Sequence, residues 1–268
     1  MTSLARVAAA ATSIPTSAVL TTRIFKDCPE SSLATGNSYP TSIFFDDAAL
    51  DCAGYANLHN WRFSGDGVNP MVFANDDEIA FSAGIVISGA SGGEAGLLLS
   101  PWWSLNVEGR CNVRVPDGEI ACFGGRLLFY SFTANHGIVY AQGNRIRLEI
   151  IYRPDHMTPA SPATIEYRVT YLAPQYRSGQ LAFDRGNPAE DPPHGQWGML
   201  TPAGAGGYLQ AFLVPGDRSA RVQADFSNMQ FSRPVQVPDL SRWGVAVLVL
   251  LLVGAETNRV RRRRRPVS

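Results

Sequence analysis

Lysine is almost missing from this chain. Lys26 is the only one among 23 basic residues, so arginine carries the positive charge. That arginine is unevenly placed: Arg259, Arg261, Arg262, Arg263, Arg264 and Arg265 all fall within the last ten residues. Setting aside the seven arginines and two acids beyond Gln236 leaves 16 basic against 21 acidic residues, a net of −5. Such a body lacks the clustered positive charge that a phosphate backbone needs, so nucleic acid is not expected as a partner. Cysteine is also scarce, four in 268 residues, and none stand at the Cys-x₂₋₄-Cys spacing that would suggest zinc. No stretch of the body holds apolar residues at i, i+3, i+4 and i+7 over three turns, which excludes an architecture of long amphipathic helices. Walker A, G-x-G-x-x-G and H-E-x-x-H are absent, leaving phosphate cradling and metalloprotease chemistry without support. SGASGG (88–93) contains the G-x-S-x-G spacing but lies between two strand-like runs and not ahead of a helix, so it reads as a turn and offers no nucleophile elbow. His59, His136, His156 and His194 read as loop residues.

What is present describes a folding chain: 45% hydrophobic, 10% aromatic and 17% charged. Short alternating or continuous apolar runs recur between Gly, Pro, Asn and Asp, at 42–45, 71–74, 79–88, 95–100, 104–115, 119–123, 126–134, 137–142, 145–153, 163–172, 207–214 and 219–231. In residues 164–171, Ile165, Tyr167, Val169 and Tyr171 alternate with Thr164, Glu166, Arg168 and Thr170, the signature of a half-buried antiparallel strand. About a dozen strands in one body of about 200 residues predict an all-β, antiparallel two-sheet sandwich. The order of a Trp61 segment, GIVISG, GEAGLLLSP, the pair RLEIIYRP/ATIEYRVTY and a closing ADFSNMQF resembles the concanavalin A-like lectin/glucanase jelly roll.

The end of the chain carries a different signal. Trp243 to Ala255 are thirteen residues without a charge. As a helix they cover about 20 Å, short of a hydrocarbon core of about 30 Å. A Pro-containing linker precedes them, and the arginine cluster follows, which the positive-inside rule keeps cytoplasmic. Val237, Pro238, Leu240, Trp243 and Gly244, followed by the apolar run and the arginines, resemble the IPTLxxWG-CTERM sorting signals of Gram-negative bacteria, although Asp239 replaces the usual Thr. The resemblance implies transit to the inner membrane through a C-terminal apolar helix. It also implies recognition by an exosortase-like membrane protease, and release or attachment at the cell surface. The expected organisation is a poor signal-peptide-like or disordered leader at 1–26, the sandwich at 27–232, and linker plus sorting signal at 233–268.

Export fits disulfides. Cys28, Cys52, Cys111 and Cys122 allow three pairings, and Cys28–Cys52 with Cys111–Cys122 is expected, since the second pair flanks a Pro-Asp-Gly turn. Four reduced thiols are the alternative.

Residues 184–206 interrupt the strand pattern with four prolines and five glycines, and they carry Asp191, His194 and Trp197 as candidate binding groups. Trp102 and Trp103 are adjacent, so one is expected to face the core and the other to be available for stacking on a ligand. No pair of acids shows a glycosidase pattern. Asp117 and Glu119 flank the hairpin turn, and Asp76, Asp77 and Glu78 read as a solvated turn. Asp66, Asn69 and Asn75 could add oxygens for Ca²⁺, but the EF-hand spacing is missing and no cofactor is expected. The sequence therefore predicts an exported, non-enzymatic binding sandwich, with extracellular polysaccharide as its partner. The rivals are a carbohydrate-active hydrolase or lyase on the same fold, and a structural surface protein.

Overall fold

The computed structural model describes residues 14–23, 32–50, 55–101, 109–124, 127–183, 197–199 and 203–233. Strand-forming alternation governs these segments. Ile165, Tyr167, Val169 and Tyr171 are buried, and the intervening Thr164, Glu166, Arg168 and Thr170 lie on the opposite face. The strands are β1 (Ser17–Arg23), β2 (Ser32–Ser38), β3 (Ser42–Leu50), β4 (Tyr55–Ser64), β5 (Ile79–Ala90), β6 (Gly92–Pro101) and β7 (Gly109–Arg114). They continue as β8 (Ile120–Phe123), β9 (Tyr130–Ser131), β10 (Arg145–Arg153), β11 (Thr164–Tyr171), β12 (Gln175–Ala182), β13 (Ala203–Phe212) and β14 (Ser219–Ser232).

Two seven-stranded antiparallel sheets result. Sheet A runs β1-β4-β13-β6-β7-β8-β9, and sheet B runs β12-β11-β10-β5-β14-β3-β2. The two last strands sit inside the sheets: β13 between β4 and β6, and β14 between β3 and β5. Between the sheets lies one apolar core. Trp61 packs edge-on against Phe63 and Phe226, and Tyr152 against Phe183. The chain passes from sheet B to sheet A at Ser91, where a Cβ on Gly93 would collide with Val222, so only glycine lets the corner close.

Several expectations need correction. Only Tyr130–Ser131 of the expected strand at 126–134 is a strand. Ser131 then N-caps a short helix, α1 (Phe132–His136), by accepting a hydrogen bond from Ala134 N–H at 3.1 Å. Gly137 closes α1 in the left-handed conformation at φ 69°, its N–H donating to Thr133 O, and residues 137–142 follow as irregular chain rather than a strand. At 71–74 only Phe73 pairs, bridging to Ala203. Residues 17–23, inside the stretch read as leader, form β1 on the edge of sheet A. Strands β2, β4 and β12 escaped the sequence reading. His59 is a buried strand residue and His136 ends α1, so neither is a loop residue.

Cys111 and Cys122 face each other across β7 and β8 and form the expected disulfide beneath the Pro116-Asp117-Gly118 turn. There Asp117 Oδ1 accepts from Glu119 N–H, and Gly118 adopts φ 68°. Among the described residues no helix is long and apolar enough to cross a membrane. The expected C-terminal helix and sorting motif, Cys28 and Cys52, and Trp102, Trp103, Asp191 and His194 lie outside the described residues.

Candidate functional site

The two outer faces of the sandwich differ in kind. On sheet B, Arg168 joins Glu149 and Glu166, and Arg221 joins Asp46, in partly exposed ion pairs of the sort a solvated face carries. On sheet A the outward side chains are polar but withdrawn from water: Asn60 is 4% exposed, Glu94 6%, Asn112 1% and Tyr208 0%. Polar groups are buried at a cost unless they are partnered, so this face calls for an accounting of its hydrogen bonds.

Register brings the residues together. One row across the sheet is Asn60, Tyr208, Gly96, Asn112, and the next is Arg62, Gly206, Leu98, Arg110, Phe123. Glu94 is the hub. One carboxylate oxygen accepts from Arg110 and from the Tyr208 hydroxyl, each at 2.8 Å, and the other accepts from Asn112 Nδ2 at 2.7 Å. Burial pushes the Tyr208 pKa well above that of a free tyrosine; Arg110 opposes the rise and Glu94 adds to it. Tyr208 is therefore held as a hydrogen-bond donor at neutral pH. Arg62 crosses β13, donating to Gly204 O at 3.0 Å and to Ser100 Oγ at 3.1 Å. Glycines keep the middle of the face low: a Cβ on Gly206 would strike the Trp61 carbonyl, and one on Gly96 the Cys111 carbonyl.

Among the described residues, three buried polar atoms of this face are without a hydrogen-bond partner: Asn60 Oδ1, Asn112 Oδ1 and Arg110 Nε. The Arg110 guanidinium is sandwiched by rings, its carbon 4.4 Å from the Tyr208 centroid and 5.6 Å from that of Phe123. Phe123 in turn stacks on Phe129 at 6.3 Å with 24° between the planes. Exposure rises along this ladder from buried Tyr208, through half-buried Arg110 and Phe123, to Phe129 at 64%. The ladder thus leads from the surface at the β8–β9 edge to the buried polar rows.

No protein-family model matches the chain, and no curated protein matches it significantly. Among solved structures it is similar to a family 7 alginate lyase in complex with substrate, at 12% identity and TM-score 0.40, over 70% of this chain and 77% of that one. It is likewise similar to the CBM2 module of the Dit protein of Lactobacillus casei BL23 phage J-1, at 10% identity and TM-score 0.40, over 81% and 92%. A third is the alginate lyase of Alteromonas sp. 272, at 8% identity and TM-score 0.38, over 75% and 93%. Likenesses this distant assign no residue a role.

Of the binding groups expected from the sequence, Trp197 alone falls among the described residues. It is half-buried at φ 54°, and its carbonyl accepts from Ala163 N–H at 2.7 Å, beside the start of β11. Asp66 has a different use from cation binding. Its carboxylate accepts from Val68 and Asn69 N–H, Asn69 Nδ2 and Ser64 Oγ, closing the loop after β4. Another cleft, of about 720 Å³, opens between Ile14–Thr16, Tyr39 and the β5–β10–β14 surface, with Glu149 and Gln230 in its wall. The rows on sheet A were missed because their strands read as apolar runs. The usable signal was the polar column inside those runs: Arg110 and Asn112 alternate with Cys111 and Val113, and Tyr208 and Gln210 with Leu209 and Ala211.

Proposed function

We propose that this protein is an exported, cell-surface or extracellular sandwich of the concanavalin A-like jelly-roll type that binds polysaccharide on the outer face of sheet A. The observation that carries the reading is the ladder that runs from the exposed Phe129 ring through Phe123 to the Arg110 guanidinium at the β8–β9 edge of this face. A sugar chain matches such a ladder of rings and a guanidinium. Its hydroxyls both donate and accept, and its apolar ring faces stack on aromatics. Phe129 is the outer platform and Arg110, stacked between rings, the first polar contact inward.

The hydrolase rival asks for two carboxylates about 5–9.5 Å apart. Glu94 is the buried carboxylate described on this face, and both its oxygens are already engaged, so binding is the better supported reading. Export rests on the tail: the Val237-Pro238 to Trp243-Gly244 motif, the apolar run and the terminal arginines, handled by an exosortase-like protease after transient residence in the inner membrane.

A glycan array probed with the full chain tests the binding reading. Phe129→Ala is expected to weaken the best glycan about tenfold, about 1.4 kcal/mol, with an unchanged melting temperature. Equal binding by that variant removes the platform, and no binding to any glycan favours the structural-protein reading. Deleting Val237–Ser268 is expected to change where the product is found in the cell; unchanged location overturns the sorting signal.

A further inference from the structure

Away from the outer face of sheet A, the core holds a carboxylate and an imidazole that an apolar interior does not need. β3 turns Ile43, Phe45, Asp47 and Ala49 inward, and β4 turns His59, Trp61 and Phe63 inward. Asp47 is 3% exposed and His59 4%, and the Phe45 ring stacks on the imidazole at 6.4 Å. His59 Nε2 lies 3.4 Å from Asp47 Oδ2, within ion-pair reach but outside hydrogen-bond geometry, and that oxygen has no hydrogen-bond partner. On the other side of the ring, Nδ1 lies 3.0 Å from Thr22 Oγ1. Thr22 is the register partner of His59 on edge strand β1, and its side chain is exposed.

The three groups thus run from surface to core in the order hydroxyl, imidazole, carboxylate. The Nε2–H tautomer, the one that suits an acceptor-only carboxylate, sets the ring N–H on the Asp47 side and the Nδ1 lone pair toward the Thr22 hydroxyl. That is the polarity a general base needs toward a nucleophile, with the buried acid orienting the base. A second contact among Asp155, His156 and Ser161 lacks it: Ser161 Oγ donates to Asp155 Oδ2 at 2.7 Å, and Asp155 and His156 are exposed. Thr22 stands on an edge strand, where alternate backbone N–H groups point away from β4 and can polarise a carbonyl.

We propose that Thr22, His59 and Asp47 form an acyl-transfer site for carboxylic esters. Thr22 Oγ1 attacks the ester carbonyl carbon while its proton passes to His59 Nδ1. The bond to the alcohol oxygen breaks, and the alcohol leaves with that proton. Water then attacks the threonyl ester, giving its proton to Nδ1, and the acid departs as Thr22 regains its hydrogen. The balance is ester plus water to acid plus alcohol.

The full chain with p-nitrophenyl acetate supplies the test, read by p-nitrophenol release and by mass spectrometry of the Thr22 peptide. The expected result is an acetyl adduct on Thr22, loss of release in Thr22→Val with an unchanged melting temperature, and retained release in Thr22→Ser. Asp47→Asn is expected to slow release about 10²- to 10⁴-fold. If Thr22→Val releases p-nitrophenol as fast as the parent chain, or no adduct forms on Thr22, the site is not catalytic. Neither result bears on glycan binding.

Discussion

Glu94 concentrates the consequences of a single residue. Three donors converge on it, so Glu94→Gln turns an acceptor into a donor facing Arg110, Tyr208 or Asn112. Breaking a buried charged network in this way costs about 3–5 kcal/mol, and urea unfolding is expected to show a loss of that order. Asp66 makes a separate, pH-dependent prediction. Backbone N–H of Asn69 chiefly, with the Asn69 side chain and Val68 N–H, holds its pKa below the ordinary aspartate range, and burial opposes this only weakly. A pKa lower in the folded than the unfolded chain stabilises above the unfolded value and ceases to as pH falls through the folded one. The loop after Ser64 is therefore expected to loosen as pH drops below about 3.9, seen as faster amide exchange at Val68 and Asn69. Asp66→Asn should remove that pH dependence. Neither role was legible beforehand. Glu94 stood beside an apolar-looking run because its partners Arg110, Asn112 and Tyr208 come from other strands. Asp66, whose partners Ser64, Val68 and Asn69 are local, stood among candidate cation ligands because a carboxylate in a polar loop reads equally well as a ligand or as the loop's own clasp.

At the scale of elements, legibility followed side-chain pattern. Residues 145–153 and 164–171 alternate strongly and fold as read. β2 and β12 are mostly exposed edge strands whose polar side chains give no burial period, and β1 was obscured by the small-residue stretch before it. The run at 126–134 shows the converse error: it is apolar enough for a strand, but the Ser131 cap and Gly137 terminator impose a turn of helix. The β7–β8 hairpin was legible in full, turn and disulfide together. With its cysteines 11 positions apart, the cross-link contributes about 3 kcal/mol by restricting the unfolded chain. Replacing Cys111 and Cys122 by alanine should lower thermal stability accordingly, measured by calorimetry.

The whole molecule depends on its latest strands. Without β13, sheet A falls into β1-β4 and β6-β7-β8-β9; without β14, sheet B falls into β2-β3 and β5-β10-β11-β12. A chain ending at residue 200 is therefore expected to lack near-ultraviolet dichroism and to be digested rapidly by protease, whereas one ending at residue 236 should resist. The two-sheet class was legible from periodicity, but this strand order was not, because nothing local to 203–232 records which strands it will separate.

That order of arrival reaches beyond stability. A polypeptide whose keystones come last stays a loose thread for most of its making, easy to feed through a narrow conduit but presenting raw backbone edges to its neighbours meanwhile. How much of it clumps is then set during synthesis by how quickly residues 203–232 follow the strands they join, and not by the depth of the final energy well alone.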